Sequence, residues 1–235
     1  MPDLIETWAT LAEEEDSMPR DHAWIWREMI RMLDKADLSV SRVLDVGCNQ
    51  GGFLRLLYDL RPFVAGVGVD LAKQAVALAE ARKGDRPISY LAATRLTEAG
   101  SDFDVAFSHE VIYLIGDLAD HASQIAEVLK PGGSYYAVTC CHRDNPLWAD
   151  WRPRIQEFSN VPVPDHSIAD IAGAFREAGF EVAVSRFLAE TFIPLPEPDD
   201  YCPTDLDRID LYNRWKLLFR FTRPDAQHEL SESGV

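Results

Sequence analysis

The chain has 235 residues, 47% of them hydrophobic and 10% aromatic, enough for one substantial core, and its 39 acidic against 23 basic side chains give a formal charge of −16. That charge argues against DNA or bulk RNA as a partner, because affinity for a polyanion comes largely from phosphate neutralisation by Lys and Arg, and no basic stripe is present. No run reaches the roughly 18 apolar residues of a membrane span, the first residues are acidic (Asp3, Glu6, Glu13 to Asp16), and Cys48, Cys140, Cys141 and Cys202 lack a CxxC spacing, so the expectations are a cytoplasmic protein with reduced thiols, no membrane partner and no metal site.

Residues 1–40 have helical tendency, three tryptophans (Trp8, Trp24, Trp26) and no strand signal. They are expected to form a lid over the sheet or an extra packing helix, with residues 41–235 as the core. A first strand, Val43 to Val46, runs into a loop with glycines at 47, 51 and 52, and Phe53, Leu54, Leu57 and Leu60 then make a helical stripe. Gly47 and Gly51 permit positive φ and close approach of a ligand to the main chain. The dinucleotide fingerprint GxGxxG is missing, because Asn49 takes the middle glycine's place. Asn is the non-glycine residue that best tolerates left-handed geometry, so the loop shape is expected to survive while a nicotinamide oxidoreductase is disfavoured. Asp70 closes a second strand, Val64 to Val69, where a carboxylate can accept hydrogen bonds from the two hydroxyls of a ribose.

Further on, Ala75, Val76 and Ala79 mark a helix, Ile88 to Leu91 and Asp104 to Phe107 are strands, and Leu118, Ala122, Ile125 and Leu129 mark another helix. Lys130-Pro131-Gly132-Gly133 is expected to stop that helix and launch a strand over Tyr135 to Cys140. Ser167 with Asp170 reads as a capping box for a helix carrying Ile168, Ile171, Ala172 and Phe175 and ending at Gly179. Strand-like runs Val182 to Phe192 and Trp215 to Thr222 flank an insertion at about 193–214, with Pro194, Pro196, Pro198 and Pro203 and a short helix at Asp205 to Asn213. Strands alternating with helix-period segments predict an α/β fold, a doubly wound, mostly parallel sheet with helices on both faces.

Val43-Leu44-Asp45-Val46-Gly47-Cys48-Asn49-Gln50-Gly51, Val67-Gly68-Val69-Asp70, Phe103 to Ser108 and Leu129 to Gly133 together resemble, in order and spacing, the class I S-adenosylmethionine-dependent methyltransferases. The resemblance covers roughly Arg42 to Thr139. It implies a Rossmann-like seven-stranded sheet whose antiparallel last strand matches Trp215 to Thr222. It also implies that Gly47, Cys48, Asn49 and Gly51 hold the methionine part of the cofactor, Asp70 the ribose and Leu71 one adenine face, with Asp45 orienting the turn or reaching the cofactor amine. Ser108, at the end of the fourth strand, is assigned to the same site. Ala93-Thr94 stands where the family commonly has an acid on the adenine amino group, and that contact passes to Thr94 or is lost.

Methyl transfer needs a base only when the nucleophile must lose a proton. His109 leads the candidates, with Glu110 beside it and His142 after the fifth strand, while Trp24, Tyr113, Trp148 and Tyr201 are candidates to line an acceptor pocket. The expected function is methyl transfer to an oxygen or nitrogen of a small molecule. A protein or peptide methyltransferase and a non-catalytic S-adenosylmethionine-binding protein are the alternatives. Glu190, Glu197, Asp199, Asp200, Asp205, Asp207 and Asp210 against Arg208 suggest a field at the cleft mouth that favours a neutral or amine acceptor.

Overall fold

Seven strands, β1 (Arg42–Val46), β2 (Ala65–Asp70), β3 (Ile88–Ala92), β4 (Phe103–His109), β5 (Leu129–Thr139), β6 (Glu181–Arg186) and β7 (Leu217–Thr222), make one sheet in the order β3-β2-β1-β4-β5-β7-β6. All neighbours are parallel except β7, which runs antiparallel to both β5 and β6. This computed structural model describes residues 3–9, 12–187 and 192–225, with side chains from residue 22 onward in the first helix. The crossover from β1 outward to β3 and then back to β4 leaves a crevice at the carboxyl ends of β1 and β4, where open α/β sheets bind ligands.

Apolar residues on both faces of the strands fill two cores. On one face α1 (Ala12–Arg31), α2 (Gly52–Leu60) and α3 (Lys73–Arg82) bury Ile25, Met29, Phe53, Leu57 and Val76. The other face carries α4 (Leu118–Val128) and α6 (Ile168–Glu177), which bury Ala122, Ile125, Ile171 and Phe175. Ser167 caps α6 with the reciprocal bonds expected of a capping box. A third cluster, formed by α5 (Trp148–Phe158) with Tyr113, Cys140, Cys202 and Leu211, lies past the strand ends.

The chain departs from the sequence expectations at several ends. Leu129 is not helical; it already pairs with Phe103 in the ladder, and a register shift between Phe103 and Val105 absorbs the Lys130 to Gly133 segment before Ser134 rejoins β4. Trp215 ends a π-helical turn, Leu211–Trp215, that continues α7 (Asp205–Asp210), so β7 starts two residues later. β6 stops at Arg186, Phe192 is fully exposed, and the rest of the expected run, 188–191, lies outside the described residues. Helix α5 was not foreseen. Its interior Pro153 removes a backbone donor, and the burial of Trp148, Trp151 and Ile155 holds the helix together instead.

Between α4 and the sheet, His121 Nε2 meets Tyr135 Oη at 3.2 Å, and that hydroxyl shares a 2.6 Å bond with Ser108 Oγ. Burial lowers the His121 pKa to about 4. The unfolded chain protonates this imidazole near pH 6.5 and the folded chain does not, so its contribution is whole above 6.5 and is lost as pH falls toward 4. A loss of about 2 kcal/mol by pH 5 is expected from this group. Urea-unfolding curves at pH 7 and pH 5 should show that much less pH sensitivity in His121→Leu than in the wild type.

Candidate active site

The loop after β1 is built by its own hydrogen bonds. Gly47 and Cys48 donate to Val69 O (2.8 and 3.0 Å), Asn49 N donates to Asp70 Oδ2 (2.8 Å), and Gln50 N donates to Asn49 Oδ1 (2.6 Å). Asn49 has φ 44°, the left-handed conformation expected where a glycine is missing, and its side chain caps the turn. Gly47 (φ 71°) lies against Val111, whose Cγ2 would be 2.4 Å from an added Cβ, and Gly51 (φ 72°) lies at the same distance from Tyr90 Cζ. Tyr90 also donates its hydroxyl to Gly51 O at 2.9 Å, so the turn rests on an aromatic ring.

A cavity of about 1020 Å³ opens above this loop. At one end it is lined by Asp45, Gly47, Cys48, Asn49, Asp70, Leu71, Ala93 and Thr94; Gly51 is not on the wall, its place being taken by Gly52. Asp70 Oδ1 accepts from Ala72 N (2.9 Å) and Oδ2 from Asn49 N, which aims the carboxylate at the cavity wall. Asp45 Oδ2 is buried without a hydrogen-bond partner, and burial, followed by the Asp70 carboxylate, pushes the Asp45 carboxyl well above the usual range. A cation beside it relieves both penalties, which fits the ammonium or sulfonium of S-adenosylmethionine. Near Ala93 and Thr94 the walls also include Asp117, Asp120 and Gln124 of α4 and the residue before it. These polar groups were not read from the sequence, because they follow the fourth strand by a turn whose direction no local pattern gives.

His109, Glu110 and Val111 stand where the cavity turns from this end toward α5. His109 Nε2 is sealed from water with no partner; its ring packs edge-on against His22 of α1 at 4.9 Å between centroids. Burial, then His22 and Lys216, lower its pKa well below 6.5. Glu110 has φ 52° and accepts from Thr139 Oγ1 (2.9 Å), Cys140 N (3.2 Å) and the Lys216 ammonium. Burial alone would raise Glu110, but Lys216 and His109 overrule it and hold the carboxyl at about 2. Glu110, Cys140 and Cys141 bring ligand-type atoms within 4.8 Å of one another, yet Lys216 occupies the cation position on the carboxylate.

The far chamber contains Tyr113 and Tyr201, two of the residues singled out in the sequence. Other candidates do not reach the wall. Ser108 bonds to Tyr135, His142 Nε2 donates to Trp215 O (2.9 Å), and Trp148 Nε1 donates to Asp165 Oδ1 (3.0 Å). Trp24 packs on Tyr212 from the other side of α1. Lining residues that sequence reasoning missed include His22, Trp151, Tyr212 and Lys216, while Trp26, of the segment expected as a lid, also lines the wall. Lys216 had a readable signal, a single cation in the apolar run Trp215-Lys216-Leu217-Leu218-Phe219. None of the seven acids of the insertion lines the cavity among the described residues, Glu190 lying outside them. Asp199 pairs with Arg208, Asp200 with Arg154, Asp210 with Arg214, and Asp207 caps α7 through Thr204.

Residues 3–9 pass over the cavity as a strap. Ile5 N donates to Leu71 O (3.0 Å), Lys73 N donates to Ile5 O (2.9 Å), and Asn160 N, just past α5, donates to Trp8 O (2.9 Å). Ile5 and Trp8 both line the space beneath.

Comparison with known proteins agrees with this geometry. A family model described as "Methyltransferase domain" matches residues 19–184. The ubiquinone biosynthesis O-methyltransferase of Rhizobium rhizogenes is 33% identical over 100 residues, 42% of this chain and 40% of that protein. The chain thus matches about two fifths of the length of that relative. Among solved structures, a methyltransferase in complex with the Haloferax volcanii Trm112 activator has a TM-score of 0.77 at 24% identity, covering 91% of this chain and 95% of that one. An S-adenosylmethionine-dependent methyltransferase from Mesorhizobium loti has a TM-score of 0.62 at 22% identity, covering 86% and 99%. With the family model spanning most of the chain, and the strand order and glycine loop in place, the chain belongs to the class I S-adenosylmethionine-dependent methyltransferases.

Proposed function

We propose that the protein transfers a methyl group from S-adenosylmethionine to an oxygen or nitrogen of a small, largely apolar acceptor. One observation carries this reading: the cofactor end of the cavity continues without a break into a chamber walled by Tyr113, Trp151, Ile155, Tyr201 and Tyr212, with His109 at the junction. A volume of about 1020 Å³ is at the top of the range for a single-ligand pocket and suits a cofactor with a second small molecule. The O-methyltransferase name of the sequence relatives favours oxygen.

The cofactor supplies an already activated methyl, so the protein's work is alignment and exclusion of water. The strap and α5 cover the chamber, which favours a small molecule over a polypeptide laid in a groove. His109 is the candidate base: burial keeps its imidazole neutral at pH 7, and for its Nε2 to take the acceptor's proton the packing that seals it must open to the bound acceptor. Glu110 is an anion in an ion pair and serves to place Lys216 and the strand ends.

Incubation with methyl-tritiated S-adenosylmethionine and a cell extract should put label into the low-molecular-weight fraction. Label in protein instead would establish a polypeptide acceptor, and binding of the cofactor without any label would establish a non-catalytic role. For an acceptor that must lose a proton, His109→Gln is expected to lower kcat by about 10² to 10⁴ while leaving the affinity for S-adenosylhomocysteine unchanged. An undiminished kcat would remove His109 from the chemistry.

A further inference from the structure

The two ends of the cavity differ in charge: one gathers carboxyls, the other holds cations in ion pairs. At the cofactor end the ionisable groups are the carboxyls of Asp45, Asp70, Asp117 and Asp120. At the acceptor end they are Lys216, paired with Glu110, and Arg208, paired with Asp199. The acids that surround this end in sequence are turned into caps and surface ion pairs. A positively charged cofactor therefore meets carboxylates, and whatever lies beyond it meets ion-paired cations, of which Lys216 is the buried one.

Lys216 is the group that this arrangement singles out. It precedes β7, is 3% exposed, and its ammonium has a single protein hydrogen-bond partner, Glu110 Oε1, with the Tyr212 ring 6.0 Å away. Burial works against its charge, while the neighbouring Cys140 and Glu110 raise its pKa, so the ammonium persists. Among the described residues two of its three N–H donors have no acceptor, on the wall of a chamber rich in aromatic rings. A buried ion pair adds little stability over apolar residues of the same size. An ammonium with unused donors in a ligand cavity is what a site needs to recognise an anionic oxygen.

We infer that Lys216 is the specificity-determining residue of the acceptor site and that the acceptor is an apolar or aromatic acid, with its carboxylate or ionised hydroxyl on the Lys216 ammonium. The inference rests on the methyl-transfer reading and adds the acceptor's charge. Glu110 holds Lys216 from below through the bond already described, and the acid's oxygen approaches from the cavity. This places the acid's apolar body against Tyr113 and Trp151 and its nucleophile toward His109. Where the nucleophile is itself the ionised oxygen, no base is required.

The test uses the full chain saturated with S-adenosylhomocysteine and titrates it by calorimetry with benzoate, cinnamate and indoleacetate, each against its methyl ester. At least one acid is expected to bind about tenfold or more tighter than its ester, as loss of a charge-assisted contact implies. Lys216→Met should abolish that preference and Lys216→Arg should retain it, both with unchanged affinity for S-adenosylhomocysteine. If Lys216→Met fails to fold, Lys216→Met combined with Glu110→Gln removes both charges together and answers the same question. Esters binding as well as their acids, no acid binding at all, or a preference that survives the loss of Lys216 would each overturn the inference. Failure of the wild-type chain to bind S-adenosylhomocysteine would instead strike the methyl-transfer reading itself.

Discussion

Asp70→Ala is expected to weaken binding of S-adenosylhomocysteine by about a hundredfold to ten-thousandfold, from the loss of two hydrogen bonds to a charged group at about 1.5–3 kcal/mol each. The carboxylate stands at the end of β2 and is aimed by the amides of Asn49 and Ala72, so no side chain has to be ordered when a ribose arrives. The bond from Asn49 N also joins β2 to the glycine loop. Asp70→Asn, which keeps one acceptor oxygen, should fall between the wild type and alanine. Calorimetry on a variant whose thermal unfolding is otherwise normal decides the matter, and unchanged affinity would remove Asp70 from the cofactor site.

Gly51→Ala is expected to be the most damaging single methyl in the loop. The residue has φ 72°, where an L side chain costs about 1–3 kcal/mol, and the new Cβ would lie 2.4 Å from Tyr90 Cζ, adding an overpacking cost of about 1–3 kcal/mol. For a chain of this size the sum lowers Tm by about 4–24 °C. Tyr90→Leu in the same chain should recover the overpacking part and leave the backbone part, a split that a double-mutant cycle in thermal or urea unfolding reads directly. The family resemblance implies a cofactor contact at Gly51. Its side of the turn faces Tyr90 and not the cavity, so its loss should act on stability before it acts on binding.

The parallel half of the sheet was legible because each strand is a short apolar run that ends in a turn residue, and because α2, α3, α4 and α6 carry clean stripes. Leu129 misled because Val128 and Leu129 are both buried and a helical stripe continues smoothly into a buried strand. Trp215 misled for the same reason at the start of β7. At the end of the cavity above the glycine loop, Asp45, Gly47, Cys48, Asn49, Asp70, Leu71, Ala93 and Thr94 could be picked out because they lie in one local motif plus the ends of two strands, whereas Asp117, Asp120 and Gln124 could not. Nor could the acceptor end. His22, Trp151, Tyr212 and Lys216 come from four separate elements, and long-range packing alone brings them to one wall. Trp148 and His142 look equivalent to them in sequence but turn into the third cluster or toward Trp215 O.

Helix α1 shares its core with the far end of the chain: Ile25, Met29 and Ile30 are buried in the same cluster as Phe187 and Leu218, and Asp34 pairs with Arg220 across the surface. During synthesis those apolar side chains emerge early and their partners late, a wait on the order of 10–40 seconds at about 5–20 residues per second. The first helix can pack on α2 as soon as both are made, but the part of its apolar face that meets Phe187 and Leu218 stays uncovered until β7 is made. Aggregation during expression should accordingly respond to slower growth temperature and to chaperone supply, and splitting the chain between β5 and β6 should yield two halves that are soluble only when made together.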